Sequence, residues 1–257
     1  MSNAVHIKNT CAGYVSKDVL FDINMQIPAG KITVIVGPNG CGKSTLLKTL
    51  CGLVPVRRGD ILIGDRSIHD FTPQMLARQI AFLPQNRPVC AATAGQMVLH
   101  GRFPYLSYPR RYRTSDQKIA QQAMERMGIS GLADAPIHTL SGGMRQKVYI
   151  AMALTQDTPV ILFDEPTTYL DISHQLQMME HARFLCREGK TVVMVLHDLP
   201  MALKLADQLA VMQDGKIVSC GSPEEIFDSG CLDAVFRVSV RRVQTADGWQ
   251  YYSRPAQ

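Results

Sequence analysis

One short segment carries the clearest chemistry in this chain: Gly37-Pro38-Asn39-Gly40-Cys41-Gly42-Lys43-Ser44-Thr45, which follows the pattern G-x-x-x-x-G-K-[ST]. Its glycines let successive backbone N–H groups turn inward around phosphate oxygens, and a helix starting beside them adds positive potential at its N-terminus. Lys43 supplies a point charge for β- and γ-phosphates, Ser44 a hydroxyl for Mg²⁺, and Thr45 a place beside the α-phosphate. A tight glycine turn without a ligand is the plainer reading of such a loop. The second candidate is the acidic pair Asp164-Glu165. Asp164 can hold a hydrated Mg²⁺ through water, and Glu165 can orient or deprotonate an attacking water. Alone, the pair could merely cap a helix. Together the two segments describe the hydrolysis of a nucleoside triphosphate.

The surrounding residues set out the scaffold these groups need. The apolar run Ile32-Thr33-Val34-Ile35-Val36 leads into the glycine loop as a buried strand, and Leu46, Leu47 and Leu50 follow at helical spacing up to Gly52. A second strand, Val160-Ile161-Leu162-Phe163, ends in Asp164, and a third, Thr191 to Leu196, ends in His197-Asp198. His174 to Arg187 between them has helical periodicity, so strands and helices alternate as in a mainly parallel α/β sheet. Ligands on such sheets gather at the carboxyl ends of the strands. Lys43, Asp164, Glu165 and His197 all fall just past such ends, which predicts a shared site.

Other stretches differ in character. Val5 to Lys8 and Val19 to Ile27 alternate loosely as strands. Residues 86–157 begin in a proline-rich basic loop and continue as helical patterns over Ser115 to Met127 and Gly143 to Leu154, the mark of a helical insertion. Asp214-Gly215 is a hairpin signal, and Ser222-Pro223-Glu224-Glu225 opens a capped helix. A chain of 257 residues is long enough for one large domain with an insertion. A net charge of +5 is too small for a dedicated nucleic-acid binder, so no nucleic-acid partner is expected. The seven cysteines, Cys11, Cys41, Cys51, Cys90, Cys186, Cys220 and Cys231, lack paired spacing and read as reduced thiols, most of them small buried residues. Met1 to Thr10 does not look like a secretory signal, and no apolar run is long enough to span a bilayer. A connection to a membrane would therefore come through a partner.

The segment Leu140-Ser141-Gly142-Gly143-Met144-Arg145-Gln146-Lys147 places a hydroxyl and two glycines at a helix start, a second anion site where one triphosphate needs only one. An N-capped helix is its plainer reading. Beside the other two motifs, it resembles the signature sequence of the ABC ATPase family, and the resemblance covers nearly the whole chain. It implies a P-loop NTPase fold of the ABC ATPase type, with a mainly parallel sheet core, an antiparallel β part and an inserted helical subdomain. The chain would be a single domain over 1–257, with a nucleotide-binding core at 1–85 and 158–257 and the helical subdomain at 86–157. It implies ATP and Mg²⁺ as cofactors, with Ser44, Gln85 and Asp164 toward the metal. Tyr14 looks like the adenine-stacking aromatic, Gln85 like the glutamine that contacts Mg²⁺ or water, and His197 like the switch histidine at the γ-phosphate. Thr168-Tyr169-Leu170-Asp171 looks like the loop that crosses to a second subunit. In the family, two domains meet head to tail, so Ser141, Gly142, Gly143 and Gln146 of one copy would complete the site around Lys43 and Glu165 of another. A homodimer in the ATP-bound state follows.

Within that family, Glu165 to Gln175 and Gly101-Arg102-Phe103-Pro104-Tyr105 look like ATPases of importers for iron chelates of the siderophore, haem or cobalamin type. The resemblance implies integral membrane permease subunits, indirectly an extracytoplasmic substrate-binding protein, and a peripheral position on the cytoplasmic face of the membrane. An importer of metal ions or another small nutrient is the alternative within transport. A soluble ABC ATPase serving iron–sulphur assembly or DNA maintenance is the alternative outside it. Asn86-Arg87-Pro88-Val89-Cys90 fits no family pattern, and Arg110-Arg111-Tyr112-Arg113 reads as a solvated basic loop.

Overall fold

The structure, a computed structural model, describes residues 3–15, 17–85, 91–167, 171–246 and 248–255. The segment Asn86 to Cys90 and the loop residues Thr168, Tyr169 and Leu170, on which the sequence raised expectations, lie outside them. Twelve strands, among the described residues, are β1 (Asn3–Tyr14), β2 (Lys17–Pro28), β3 (Ile32–Val36), β4 (Val56–Ile63), β5 (Arg66–Ser67), β6 (Ile80–Leu83), β7 (Val160–Asp164), β8 (Thr191–Val195), β9 (Gln208–Gln213), β10 (Lys216–Gly221), β11 (Val238–Thr245) and β12 (Gly248–Pro255). The helices are α1 (Lys43–Leu50), α2 (Pro73–Leu76), α3 (Ala94–His100), α4 (Thr114–Arg126), α5 (Gly142–Gln156), α6 (Ile172–Arg187), α7 (Leu199–Leu205), α8 (Pro223–Asp228) and α9 (Cys231–Phe236).

The central sheet runs β10-β9-β3-β8-β7-β6, parallel throughout except for β10 at its edge. Its inner strands β3, β7 and β8 are buried at every residue, as parallel strands covered on both faces must be. Alternation divides their side chains between two cores. Val34, Val36, Met194 and Phe163 face α5, α6 and α7, while Ile35, Val193, Val195 and Leu162 face α1 and the second sheet. That second sheet is antiparallel, in the order β2-β1-β4-β5. The helices α3, α4 and α5 fall between β6 and β7, where the helical insertion was expected.

Three features depart from expectation. β1 extends well beyond Val5 to Lys8, because it pairs on both sides, with β2 and β4, and that pairing carries its polar residues. Thr10 is fully buried in it, its hydroxyl donating to Asp60 O at 3.0 Å. Of the described cysteines, only Cys11 and Cys41 are buried; Cys51, Cys186 and Cys231 are partly so, and Cys220 is exposed. Finally, α9 and the hairpin β11-β12 have no signal in the sequence reading. Their anchor is tertiary: the Arg242 guanidinium lies 4.6 Å from the Phe227 ring centre and 4.5 Å from that of Trp249. No helix among the described residues is long and apolar enough to cross a membrane.

Candidate functional site

Four adjacent parallel strands, β3, β8, β7 and β6, deliver the candidate groups at their carboxyl ends. The glycine loop follows β3, His197 follows β8, Asp164 ends β7 with Glu165 next, and Gln85 follows β6. The loop's shape rests on its glycines. Gly42 caps α1 at φ +107°, a backbone position that L side chains rarely adopt. A Cβ on Gly37 would stand 2.3 Å from Met212 O on the neighbouring strand β9. The turn at Gly215 braces the loop from outside, donating its N–H to Cys41 O at 3.0 Å.

Lys43 is buried, and its ammonium donates to the carbonyls of Gly37 at 2.8 Å and Pro38 at 3.0 Å. Its charge lies over the loop with only neutral partners there, ready for an anion. Ser44 Oγ donates to Asp164 Oδ1 at 2.9 Å, joining α1 to β7. Burial raises the Asp164 carboxyl above the usual carboxylate range; the Ser44 bond pulls it down and the neighbouring Glu165 charge pushes it up. The desolvated Asp164 carboxylate and the Ser44 hydroxyl are hard oxygen donors of the kind that suits Mg²⁺, an ion that keeps waters and takes its remaining ligands from phosphates. Among the described residues, no three His, Cys, Asp or Glu side chains cluster as a metal cage.

Glu165 is the hub of the second half. His197 Nε2 lies 2.5 Å from Glu165 Oε1, and Gln85 Nε2 donates to Glu165 Oε2. The residue sits at φ +49°, in the left-handed region that costs a non-glycine residue on the order of 1 kcal/mol, a strain typical of functional positions. His197 reaches this place because Leu196 extends the ladder, its N–H bonding Ile35 O at 3.2 Å. Lys43, Ser44, Asp164, Glu165, Gln85 and His197 are thus brought to one sheet edge.

Other expected residues lie elsewhere. Tyr14 ends β1, half-exposed, with Arg57 donating to its carbonyl. Ser141 caps α5, its Oγ accepting from Met144 N at 3.3 Å, and both Ser141 and Gly142 are exposed. No hydrogen bond among the described residues joins Ser141 to Gly143 with the chain's own glycine loop. Gln146 turns inward, its amide donating to Pro166 O at 3.1 Å, which ties the start of α5 to the residue after Glu165. Asp171 caps α6, accepting from His174 N at 2.9 Å. The sequence reading missed the part played by His174, whose ring lies against Gly143. Its place three residues after a capping aspartate was the signal available.

Comparison with known proteins gives the chain a family and a fold. The ABC transporter family profile matches residues 20–168. The petrobactin import ATP-binding protein FpuD of Bacillus anthracis is 40% identical over 240 residues, covering 93% of this chain and 88% of that protein. The ferric enterobactin transport ATP-binding protein FepC of Escherichia coli K12 is 41% identical over 226 residues, covering 87% and 83%. Among solved structures, a chain of an inward-facing ABC transporter described as of metal-chelate type superposes with a TM-score of 0.86 at 26% identity, over 100% of this chain and 98% of that one. This chain belongs to the ABC transporter family, and its fold is that family's ATPase fold.

Proposed function

We propose that this chain is the ATP-hydrolysing subunit of an importer for an iron chelate, of the siderophore, haem or cobalamin type. The observation that carries the reading is the convergence of Lys43, Ser44, Asp164, Glu165, His197 and Gln85 at the ends of four adjacent strands. Lys43 and the backbone N–H groups from Gly37 to Thr45 hold the phosphates, and Tyr14 stacks on the adenine. Ser44, Gln85 and Asp164 would hold Mg²⁺, which would supply charge neutralisation at the phosphates. Glu165 accepts the proton of the attacking water, while His197 and Gln85 hold its two oxygens in place. With little covalent chemistry for the protein to do, positioning and electrostatics dominate.

Ser141 and Gly142 are exposed, and no hydrogen bond among the described residues ties Ser141 to Gly143 to the chain's own glycine loop, which supports their use by a second copy. Two copies would bury two ATP molecules head to tail, each site completed by the other's α5 start. Residues 1–85 and 158–257 act as the nucleotide-binding core and residues 86–157 as the helical subdomain in this scheme. Permease subunits in the membrane and an extracytoplasmic binding protein complete the importer, and the chain sits peripherally on the cytoplasmic face. A groove of about 590 Å³ lined by Leu53, Val54, Phe71, Leu76 and Phe82 offers apolar surface for such a partner, with Leu53 largely exposed.

The cargo is inferred from the names of the relatives and from Glu165 to Gln175 and Gly101 to Tyr105. Uptake of a radiolabelled ferric chelate by cells lacking the chain tests it. The expected result is loss of uptake, restored by the parent chain and not by Glu165→Gln. Loss of uptake of a bare metal ion instead, with chelate uptake intact, would assign the chain to the alternative class of importer.

A further inference from the structure

His174 stands where two segments of the proposed two-chain site meet. Asp171 caps α6, and its Oδ1 both accepts from the His174 backbone at 2.9 Å and lies 2.6 Å from His174 Nδ1. That double contact turns the ring so that its far edge covers the start of α5. A Cβ built on Gly143 would lie 2.0 Å from both Cδ2 and Nε2 of His174. Gly143 is buried beneath the ring, while Ser141 and Gly142 just before it are exposed. Only about 10 Å³ of space remains among Gly143, Gln146, Lys147, His174, Met178 and His181, scarcely room for one water. The turn at Ser141 to Gly143 therefore rests on an imidazole that is braced by Asp171.

We infer that His174 is a positioning residue for the site shared between two chains. It fixes the height of the Ser141 to Gly143 turn relative to Asp171, so that a second copy meets both as one rigid surface. The inference rests on the reading of Ser141 to Gly143 as the part that a partner copy uses. It also gives Gly143 a reason to be glycine within its own chain: any larger residue displaces the ring that carries the turn. Lys43 bonds the loop carbonyls of Gly37 and Pro38 and Ser44 bonds Asp164, and none of these bonds involves His174, so binding of nucleotide to a single chain does not depend on it.

The test uses full-length chain carrying Glu165→Gln, with ATP-dependent dimer formation followed by analytical ultracentrifugation and ATP affinity measured on the monomer. Adding His174→Ala is expected to weaken dimerisation about tenfold, the scale of one lost coupling between contacting residues, with monomer ATP affinity within about twofold. His174→Asn keeps a donor toward Asp171 but no ring over Gly143. It should recover the melting temperature lost by His174→Ala without recovering dimerisation. Gly143→Ala alone should abolish the dimer through its clash with the ring, and Gly143→Ala with His174→Ala should regain part of it. If His174→Ala dimerises like its parent, or the double variant is no better than Gly143→Ala, the inference is overturned while the two-chain reading stands. If the Glu165→Gln parent itself fails to dimerise in ATP, both are overturned.

Discussion

Ser44 and Asp164 meet hydroxyl to carboxylate at 2.9 Å, and this bond ties the first turn of α1 to the last residue of β7. Because Asp164 is buried, its carboxyl is held above the usual range, chiefly by desolvation. A carboxyl raised in the folded state favours folding most at low pH, and that contribution is lost as pH rises through the raised value. At neutral pH the ionised Asp164 therefore costs the nucleotide-free chain stability. Asp164→Asn, which keeps an acceptor for Ser44, is expected to raise the nucleotide-free melting temperature at pH 7 by roughly 2–4 °C. The gain should shrink below about pH 4, where the parent carboxyl is protonated folded and unfolded alike. The same variant should lose most of the further stabilisation that Mg-ATP gives the parent, as read by calorimetry.

His197 and Gln85 hold the two oxygens of Glu165. Removing the imidazole takes away the partner of Oε1 without touching the phosphate loop. His197→Ala is expected to lower turnover by about 10²–10³-fold, the usual scale for a misplaced general base, with ATP affinity changed less than threefold. Equal losses in both would place His197 in binding instead.

Tyr14 is 49% exposed at the end of β1. Stacking of a base on an aromatic ring is worth about 1–3 kcal/mol. Tyr14→Ala should weaken ATP binding by about tenfold and Tyr14→Phe hardly at all, measured by titration calorimetry. Parent-like affinity in Tyr14→Ala would remove it from the site.

Arg102, just past the end of α3, pairs with the buried Asp116 of α4, Nε to Oδ1 at 3.0 Å, and Arg102 also covers the Tyr105 ring at 3.7 Å. Burial alone would raise the Asp116 carboxyl, but the Arg113 backbone N–H and Arg102 outweigh it and hold it below the usual range. A lowered carboxyl stabilises above its unfolded value, and that stability is lost as pH falls through the folded value. The urea midpoint should therefore fall as pH drops below about 4. Arg102→Met should flatten that fall and cost on the order of 3 kcal/mol at pH 7, because it leaves a buried charge unpaired.

How much of this was legible in sequence depends on how local each feature is. The loop Gly37 to Thr45 and the acidic end of β7 could be read directly, since strand, loop and helix follow one another along the chain. The carboxyl-end placement of His197 followed from the parallel pattern. The β11-β12 hairpin was hidden because its anchor, Arg242 between Phe227 and Trp249, joins residues that no period relates. The His174 ring over Gly143 was hidden for the same reason, as it depends on how α6 packs against α5. Ser141 to Gly143 is an opposite case. Its chemistry was readable, but the fold leaves Ser141 and Gly142 exposed and without a bond to the chain's own glycine loop, and a second copy is what the proposed function assigns to them.

The central claim is that Glu165 is the base of a site built from two chains. Its most direct test is ATP hydrolysis as a function of chain concentration, with Glu165→Gln run in parallel and its oligomeric state followed in Mg-ATP. Turnover that rises more steeply than linearly, together with a Glu165→Gln chain that binds ATP, dimerises and hydrolyses about 10²–10³-fold more slowly, is the expected result. Turnover per chain that is independent of concentration, with Glu165→Gln as active as the parent and monomeric in ATP, would contradict it.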